Sequence, residues 1–316
     1  MAEIVTKATR ESFGEALRDL AYENKDIVVL DADLAAATKT AKFKAAYPDR
    51  FFDCGIAEGN MMSVAAGIAA SGVTPFVSTF AMFAAGRAYE QVRNSVGYPH
   101  LNVKIGATHA GITVGEDGAT HQCNEDIALM RTIPGMTVIN PADAIEATAA
   151  VKAALELDGP VYMRFGRAAV PVINDRPDYR FELGKGATLA EGTDVTLVAT
   201  GLMVHLALEA REILAGEGVS ARVVNIHTVK PLDEELILSC ARETGALITA
   251  EEHSVIGGLG SAVCDCVSAA CPVPVKRVGV EDTYGRSGTV PALLAYYDLT
   301  ADHIARAARE ALTLKK

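Results

Sequence analysis

Residues 101 to 122 read Leu-Asn-Val-Lys-Ile-Gly-Ala-Thr-His-Ala-Gly-Ile-Thr-Val-Gly-Glu-Asp-Gly-Ala-Thr-His-Gln. The mainly apolar run 101–105 is typical of a buried strand, and the run that follows it, 106–122, is too irregular for a helix or strand. In open α/β folds a polar loop at the end of a buried strand lies where ligands bind. The stretch therefore predicts a parallel α/β sheet with a ligand site. The alternative is a solvated loop whose glycines only make turns.

Two histidines and two acids in this loop indicate chemistry. His109 and His121 belong to the residue type that titrates near neutral pH, and such side chains serve as general acids and bases. Glu116 and Asp117 can orient the histidines or hold a polyhydroxy ligand. We therefore expect a catalytic or sugar-binding loop.

A second informative segment ends in a glutamate. Residues 51 to 62 read Phe-Phe-Asp-Cys-Gly-Ile-Ala-Glu-Gly-Asn-Met-Met, which ends a strand-like stretch and leads into a small-residue helix at 63–70. Glu58 therefore lies at or near a helix start among residues that solvate it poorly. Burial favours its neutral form, whereas a helix N-terminus favours the carboxylate. A helix-capping glutamate is the alternative interpretation.

Three motifs in the same order resemble the pyrimidine-binding domain of transketolase. They are Gly55 to Met61, Ser78 to Phe83, and Thr108-His109 followed by Gly115 to Gln122. The resemblance extends from about Ala8 to Arg164, and the remainder is similar, with weaker motifs, to the transketolase C-terminal domain. It implies chemistry that depends on thiamine diphosphate, with the protein supplying orientation and electrostatics.

The resemblance implies a set of cofactor-binding residues. The family glutamate that matches Glu58 hydrogen-bonds the aminopyrimidine ring and so lets the cofactor deprotonate its own thiazolium carbon. A carboxyl group in a dry site can remain a proton donor at neutral pH. Phe80 and Phe83, three residues apart, share one face if the segment is helical, and they would pack on the pyrimidine with Ile56. Asp33 would lie near the thiazolium side.

The same resemblance implies a substrate-binding set. His109 and His121 would line the substrate channel and handle hydroxyl protons, which makes them catalytic together with Glu58. Asp117 would read the hydroxyl next to the ketose carbonyl. Arg10 and Arg164 would bind the substrate phosphate, because a guanidinium fork suits such an oxyanion.

The position that many transketolases give to a phosphate-binding serine is Ala37 in this chain. Phosphate recognition is therefore the part of the resemblance that departs from the family pattern. A sulfonate or a branched sugar phosphate remains open as the substrate, and the sequence does not identify the physiological donor and acceptor sugars.

The sequence contains no Gly-Asp-Gly triplet, the motif with which such enzymes hold the diphosphate and its metal. We therefore predict a split transketolase that transfers a two-carbon ketol unit between sugar phosphates. This chain would be its C-terminal subunit, and an N-terminal partner would bind the diphosphate and Mg²⁺ or Ca²⁺. Homodimer contacts between two such chains would complete an α2β2 heterotetramer.

Three other functions stay open. A β subunit of a 2-oxoacid dehydrogenase also consists of these two domains, although its substrate needs neither Asp117 nor His121. Deoxyxylulose phosphate synthase has a similar loop but is normally one continuous chain. A non-catalytic assembly subunit could keep the fold alone.

Composition narrows the class of protein. The chain has 316 residues, of which 50% are hydrophobic, and a formal charge of -11. It lacks the basic cluster that nucleic-acid binding requires. No apolar run reaches the roughly 18 residues of a membrane span, and no signal core precedes the first motif. We therefore expect a cytoplasmic enzyme without nucleic-acid or membrane partners. Six cysteines without a Cys-x-x-Cys pair predict free thiols and no zinc site.

The pattern predicts two doubly wound α/β domains. The pyrimidine-binding domain would cover 1–167, a linker 168–190, and the C-terminal domain 191–316. Strand-like runs at 195–199 and 221–225 alternate with helical ones, which is typical of parallel sheets. Further runs follow at 246–250 and 275–278.

Four titratable residues of the second domain lie at predicted strand ends: His227, Glu251, Glu252 and His253. They invite a metal or catalytic interpretation. We favour structural roles, because they lie outside the three matched motifs.

Overall fold

The fold is described for residues 5–315 of a computed structural model. Its strands are β1 (Thr6–Ala8), β2 (Ile27–Asp31), β3 (Phe51–Asp53), β4 (Thr74–Phe80), β5 (Lys104–Thr108), β6 (Thr137–Ile139), β7 (Val161–Arg164), β8 (Ala169–Pro171), β9 (Ala187–Ala190), β10 (Val195–Ala199), β11 (Ala221–Asn225), β12 (Thr228–Lys230), β13 (Leu247–Ser254) and β14 (Val275–Val280).

The α-helices alternate with these strands over most of the chain. They are α1 (Thr9–Glu23), α2 (Ala35–Thr38), α3 (Ala41–Ala46), α4 (Glu58–Ala70), α5 (Tyr89–Gln91), α6 (Asp126–Arg131), α7 (Ala144–Glu156), α8 (Met203–Gly216), α9 (Glu234–Thr244), α10 (Leu259–Ala270), α11 (Val290–Tyr296) and α12 (Ala301–Thr313). Short 3₁₀ turns cover Pro48–Arg50 and Ile112–Val114, and π-helical turns cover Phe83–Arg87 and Val92–Gly97.

The first sheet has the strand order β12-β6-β7-β5-β4-β2-β3. All pairs are parallel except β12 on β6. Neighbouring strand residues such as Val29 and Leu30 lie in two different buried clusters, on opposite faces of the sheet. Because helices cover both faces, this sheet is doubly wound as predicted.

The second sheet has the order β14-β13-β10-β11-β9, with β9 antiparallel to β11 and the other pairs parallel. The predicted strands 195–199 and 221–225 are confirmed to the residue. Leu197 and Val198 again lie in different buried clusters, so helices cover this sheet on both faces too.

The two halves of the chain are interlocked. Strand β12 comes from the second half but lies at the edge of the first sheet, which the sequence did not indicate. The predicted linker 168–190 carries β8, which pairs with β1, and ends in β9, which belongs to the second sheet.

A buried carboxylate joins the two halves. Glu146 of α7 accepts hydrogen bonds from the Ala142 N–H at 2.7 Å, the Tyr179 hydroxyl at 2.9 Å and the Asn225 amide at 2.9 and 3.0 Å. Burial raises the pKa of Glu146 to about 7. The cap of α7, the linker and β11 thus meet at one side chain.

The four titratable residues that the sequence places at strand ends of the second domain each have a partner within the fold. Glu251 accepts from the Leu259 and Gly260 N–H groups at the start of α10, and Glu252 accepts from the Thr113 N–H at 2.7 Å. The His253 Nε2 accepts from the Ala128 N–H, and His227 stacks on Phe181 with ring centroids 4.2 Å apart. Within residues 5–315, no three His, Cys, Asp or Glu side chains are grouped to hold a metal ion.

Across the same described range, no helix combines the length and apolarity needed to cross a bilayer. All six cysteines lie within this range as free thiols.

Candidate active site at the strand ends of the first sheet

The candidate site begins where β4 and β5 end. Their parallel register places Phe80 opposite Thr108, the last residues of the two strands. His109 follows Thr108 with a φ of 56°, and its imidazole stacks on the Phe80 ring with centroids 3.8 Å apart. Two of the sequence motifs, with 24 residues between Phe83 and Thr108, thus meet through strand pairing.

Glu58 is the first residue of α4, as the sequence indicated, and it is 1% exposed. Its carboxylate is not surrounded by apolar groups alone. The Nη1 of Arg87 donates to both carboxylate oxygens, at 2.8 and 2.9 Å. Sequence reasoning missed Arg87, because nothing in its local pattern identifies a partner 29 positions away.

The rings of Phe80, Phe83 and His121 form a cluster beside Arg87, the partner of Glu58. Phe80 and Phe83 are stacked with centroids 5.8 Å apart, and His121 meets Phe83 edge-on at 5.4 Å. The two phenylalanines lie together as expected, but not on one helical turn, since Phe80 ends β4 and Phe83 begins a π-helical turn. The Arg87 guanidinium lies 4.4 Å from the centre of the Phe83 ring.

His109 is buried and neutral. Its Nε2 lies 3.2 Å from the Arg10 Nη1, and its Nδ1 lies 2.9 Å from the Thr108 hydroxyl. Because arginine only donates, Nε2 must be the acceptor and Nδ1 carries the proton. Burial, followed by the charges of Arg10 and Arg167, lowers the pKa of His109 to about 3. The expectation that this histidine titrates near neutrality is therefore corrected.

Threonines orient both histidines of the loop. The His121 Nδ1 lies 2.9 Å from the Thr120 hydroxyl, an arrangement that parallels the pair of Thr108 and His109. Glu116 is exposed, and its carboxylate lies 3.6 Å from the Arg167 Nη1. Asp117 is exposed at the loop tip. The carboxylates of Glu116 and Asp117 are therefore exposed to solvent at the edge of the loop.

Arg164 requires a correction. It is 3% exposed, its Nε donates to the buried Asp126 at 2.9 Å, and its Nη2 donates to the Glu252 and Cys123 carbonyl oxygens. This buried network, which raises the pKa of Arg164, holds the two domains together. A side chain so enclosed does not fit the predicted role in phosphate binding.

Arg167, three residues later, is the better placed arginine. Its side chain is 39% exposed, and its Nη1 donates to the Val114 carbonyl oxygen at 2.9 Å. Arg10 is half-buried and donates to the Ala37 carbonyl oxygen at 2.7 Å. Both guanidinium charges act on His109. The cationic side of the site is therefore formed by Arg10 and Arg167.

The two remaining predicted cofactor residues lie on exposed loops. Asp33 is exposed with a φ of 61°, and Ile56 is 75% exposed. The acid that organises the first of these loops is Asp31, which was not singled out in the sequence. Its carboxylate accepts from the Leu34 N–H and from the hydroxyls of Thr38 and Thr40, and burial raises its pKa.

The second domain supports the histidine loop. The Gln122 Nε2 donates to the Arg286 carbonyl oxygen at 2.9 Å. A methyl group added to Gly118, whose φ is 74°, would lie 2.5 Å from the Ser287 hydroxyl oxygen. One added to Gly285 would lie 1.8 Å from the Gln122 Oε1.

A cavity of 670 Å³ opens between these loops. Phe83, Arg87 and Thr120 line one side, and Glu281 and Tyr284 of the second domain line the other. The planar Arg87 guanidinium packs against the Phe83 ring and donates to the Glu58 carboxylate. A planar heterocycle that donates an N–H fits the same two contacts. A larger groove of 1020 Å³ between α1 and α7 lies away from these residues.

The fold and this site define a protein of two α/β domains with a candidate ligand site at the strand ends of the first sheet. The family described as transketolase, pyrimidine binding domain, matches residues 5–172, and the family described as transketolase, C-terminal domain, matches residues 184–304. The chain belongs to the transketolase family.

Similar proteins include both short chains and halves of longer ones. A putative transketolase C-terminal section from Methanocaldococcus jannaschii is 47% identical over 96% of this chain and 95% of its own length. A 6-deoxy-6-sulfo-D-fructose transketolase subunit from Clostridium sp. is 48% identical over 95% of this chain and 93% of its own.

Solved structures agree with this comparison. One described as a split gene transketolase, inactive beta4 tetramer, has a TM-score of 0.89 and 55% identity, covering 98% of this chain and 99% of its own. A transketolase mutant from Pichia stipitis has a TM-score of 0.84 and 26% identity, and this chain covers 46% of it.

Proposed function

We propose that this chain is the C-terminal subunit of a two-chain transketolase that moves a two-carbon ketol unit from an anionic ketose to an aldose. The observation that carries the proposal is the buried Glu58 at the start of α4, beside the stacked rings of Phe80 and Phe83. The names and coverage of the relatives support a partner subunit.

Glu58, Phe80 and Phe83 would hold the pyrimidine of thiamine diphosphate, with Ile56 and Asp33 on neighbouring loops. When bound, this cofactor supplies the carbon nucleophile that breaks and re-forms the carbon–carbon bond. The partner subunit would hold the diphosphate and its Mg²⁺ or Ca²⁺. The contribution of this chain is a carboxylate fixed by the start of a helix and a flat aromatic wall.

The neutral His109 suits hydrogen bonding to sugar hydroxyls. Protonated at Nδ1, it has one acceptor lone pair at Nε2, which a sugar hydroxyl would use in place of the Arg10 Nη1. His121, edge-on to the aromatic rings, and Asp117 at the loop tip would contact other hydroxyls. Such positioned groups typically contribute about 10²- to 10⁴-fold in rate.

Arg10 and Arg167 would bind the terminal anion of the sugar, since guanidinium groups pair well with oxyanions. This assignment replaces Arg164, whose donors are used inside the protein. Ala37 offers only its carbonyl oxygen to Arg10, so the site lacks a hydroxyl at this position. Two relatives are named for a sulfosugar and for apulose 4-phosphate, which supports a broad class of anionic ketoses.

The test is reconstitution with a partner chain from the same organism that carries the Gly-Asp-Gly motif. With thiamine diphosphate and Mg²⁺, the pair should transfer a ketol unit from fructose 6-phosphate or 6-deoxy-6-sulfofructose to a short aldose phosphate. Glu58→Gln should abolish turnover while its circular dichroism spectrum and assembly match those of the wild type.

Decarboxylation of a 2-oxoacid by the same pair would replace the proposal with a dehydrogenase β subunit. Absence of turnover with every donor, in a pair that assembles, would indicate a non-catalytic subunit.

A further inference from the structure

The ion pair of Glu58 and Arg87 joins a buried side chain to a half-exposed one. The Glu58 side chain is 1% exposed, whereas that of Arg87 is 50% exposed. If the pair opens, the guanidinium can be hydrated in place, but the carboxylate would remain buried without a partner. A buried unpaired charge is costly, so Glu58 needs a replacement donor whenever Arg87 leaves.

Arg87 makes a second contact that matters for the site. Its guanidinium lies 4.4 Å from the centre of the Phe83 ring while Nη1 donates to Glu58. A guanidinium is a flat cation whose N–H donors lie in its plane. It therefore combines face-on packing against an aromatic ring with N–H donation to a carboxylate.

These are the two contacts that the proposed function gives to the aminopyrimidine. One ring face and one pair of carboxylate oxygens cannot serve both groups at once. Arg87 also ends the π-helical turn Phe83–Arg87, and such irregular turns are frequent at functional sites.

On the basis of the proposed function, we infer that Arg87 is a placeholder for the cofactor's aminopyrimidine. In the chain without cofactor it neutralises Glu58 and covers Phe83, which keeps both side chains in their binding positions. Cofactor binding displaces it into the adjoining 670 Å³ cavity, which Arg87 already lines. Arg87 is thus a positioning residue that competes with the cofactor.

If Arg87 competes with the cofactor, its removal should lower the stability of the isolated chain but raise the affinity of the assembled pair for the cofactor. Arg87→Met keeps an unbranched side chain but removes the N–H donors and the charge. It should lower the melting temperature of the isolated chain by about 5 °C, because Glu58 then stays buried without a partner. In the reconstituted pair it should lower the Kd for thiamine diphosphate about tenfold, because no competitor has to leave. A purely structural residue would weaken both properties.

Two matched variants sharpen the test. Arg87→Lys keeps the charge but not the flat fork, so it should restore much of the melting temperature and still bind the cofactor more tightly than the wild type. In the isolated chain, Glu58→Gln should reduce the melting penalty of Arg87→Met, because no buried charge is then left unpaired.

Calorimetric titration of thiamine diphosphate into the assembled pair decides the matter. If Arg87→Met and Arg87→Lys bind the cofactor as the wild type does, or more weakly, the placeholder role is overturned while the proposed function stands. If the assembled wild-type pair binds no cofactor at all, the proposed function itself fails.

Discussion

The rings of Phe80 and His109 are stacked, with centroids 3.8 Å apart and planes 24° from parallel. The register of β4 and β5 causes this contact, since it ends both strands at the same level. The phenylalanine shields one face of the imidazole from water, and Arg10 lies at its Nε2. Both effects favour a neutral histidine.

Acid should therefore destabilise the isolated chain through His109. In the unfolded chain this histidine takes up a proton near pH 6.5, whereas in the folded chain its pKa is about 3. Its contribution is fully present above pH 6.5 and is lost as the pH falls, by about 2 kcal/mol between pH 7 and 5. Urea unfolding at these two pH values should therefore give a change in stability that differs by this amount between the wild type and His109→Gln. Equal losses in both proteins would contradict the placement.

Substitution of Arg10 or Arg167 should weaken substrate binding rather than folding. Arg10→Met or Arg167→Met removes a charge-assisted hydrogen bond to the terminal anion, which corresponds to a rise in KM of about 10- to 100-fold. Steady-state kinetics of the reconstituted pair measure this change. A neutral sugar without the terminal anion should be used equally by wild type and variants.

Arg164→Met is the contrasting variant. It leaves Asp126 buried without its ionic partner, so the free energy of unfolding should fall by about 3–5 kcal/mol. Urea titration of the isolated chain gives the value. A stable Arg164→Met chain with a raised KM would return Arg164 to the anion site and remove Arg167 from it.

The contact between Gly118 and Ser287 of the second domain should affect kcat. Gly118→Ala places a methyl group 2.5 Å from the Ser287 hydroxyl oxygen and strains a backbone with φ of 74°. The loop of His121 should shift, which lowers kcat by about tenfold or more, since small displacements of positioning groups are costly.

Two further variants test whether the contact with Ser287 causes this loss of kcat. Gly216→Ala, at a helical position with open space around it, should leave kcat unchanged. Combining Gly118→Ala with Ser287→Gly removes the hydroxyl but not the backbone strain, so kcat should recover in part. No recovery would show that the second domain does not position this loop.

The carboxylate at the domain junction should give the opposite pH dependence. The pKa of Glu146 is raised to about 7 in the folded chain, so the group holds a proton that the unfolded chain has already lost above about pH 4.5. The contribution of Glu146 to stability is therefore greatest below that pH and falls by about 3 kcal/mol as the pH rises to 7. Glu146→Gln should remove this fall from urea unfolding curves. A variant with the wild-type pH dependence would contradict the assignment.

Much of the fold could be predicted because its signals are local. Strands β10 and β11 coincide with the apolar runs 195–199 and 221–225, and α4 begins at Glu58 as the flanking pattern indicated. The resemblance to transketolase motifs led to Phe80, Phe83 and His109. The parallel register of β4 and β5 explains why Phe80 and His109 lie together.

The sequence by itself determined the two doubly wound domains, several of their strands and the family to which the chain belongs. Tertiary structure alone decided that Arg87 pairs with Glu58, that Arg164 is buried while Arg167 reaches solvent, and that β12 joins the first sheet. Periodicity records which face of a strand or helix is apolar. Charge partners and burial depend instead on distances between residues far apart in the chain, which only the packed fold sets.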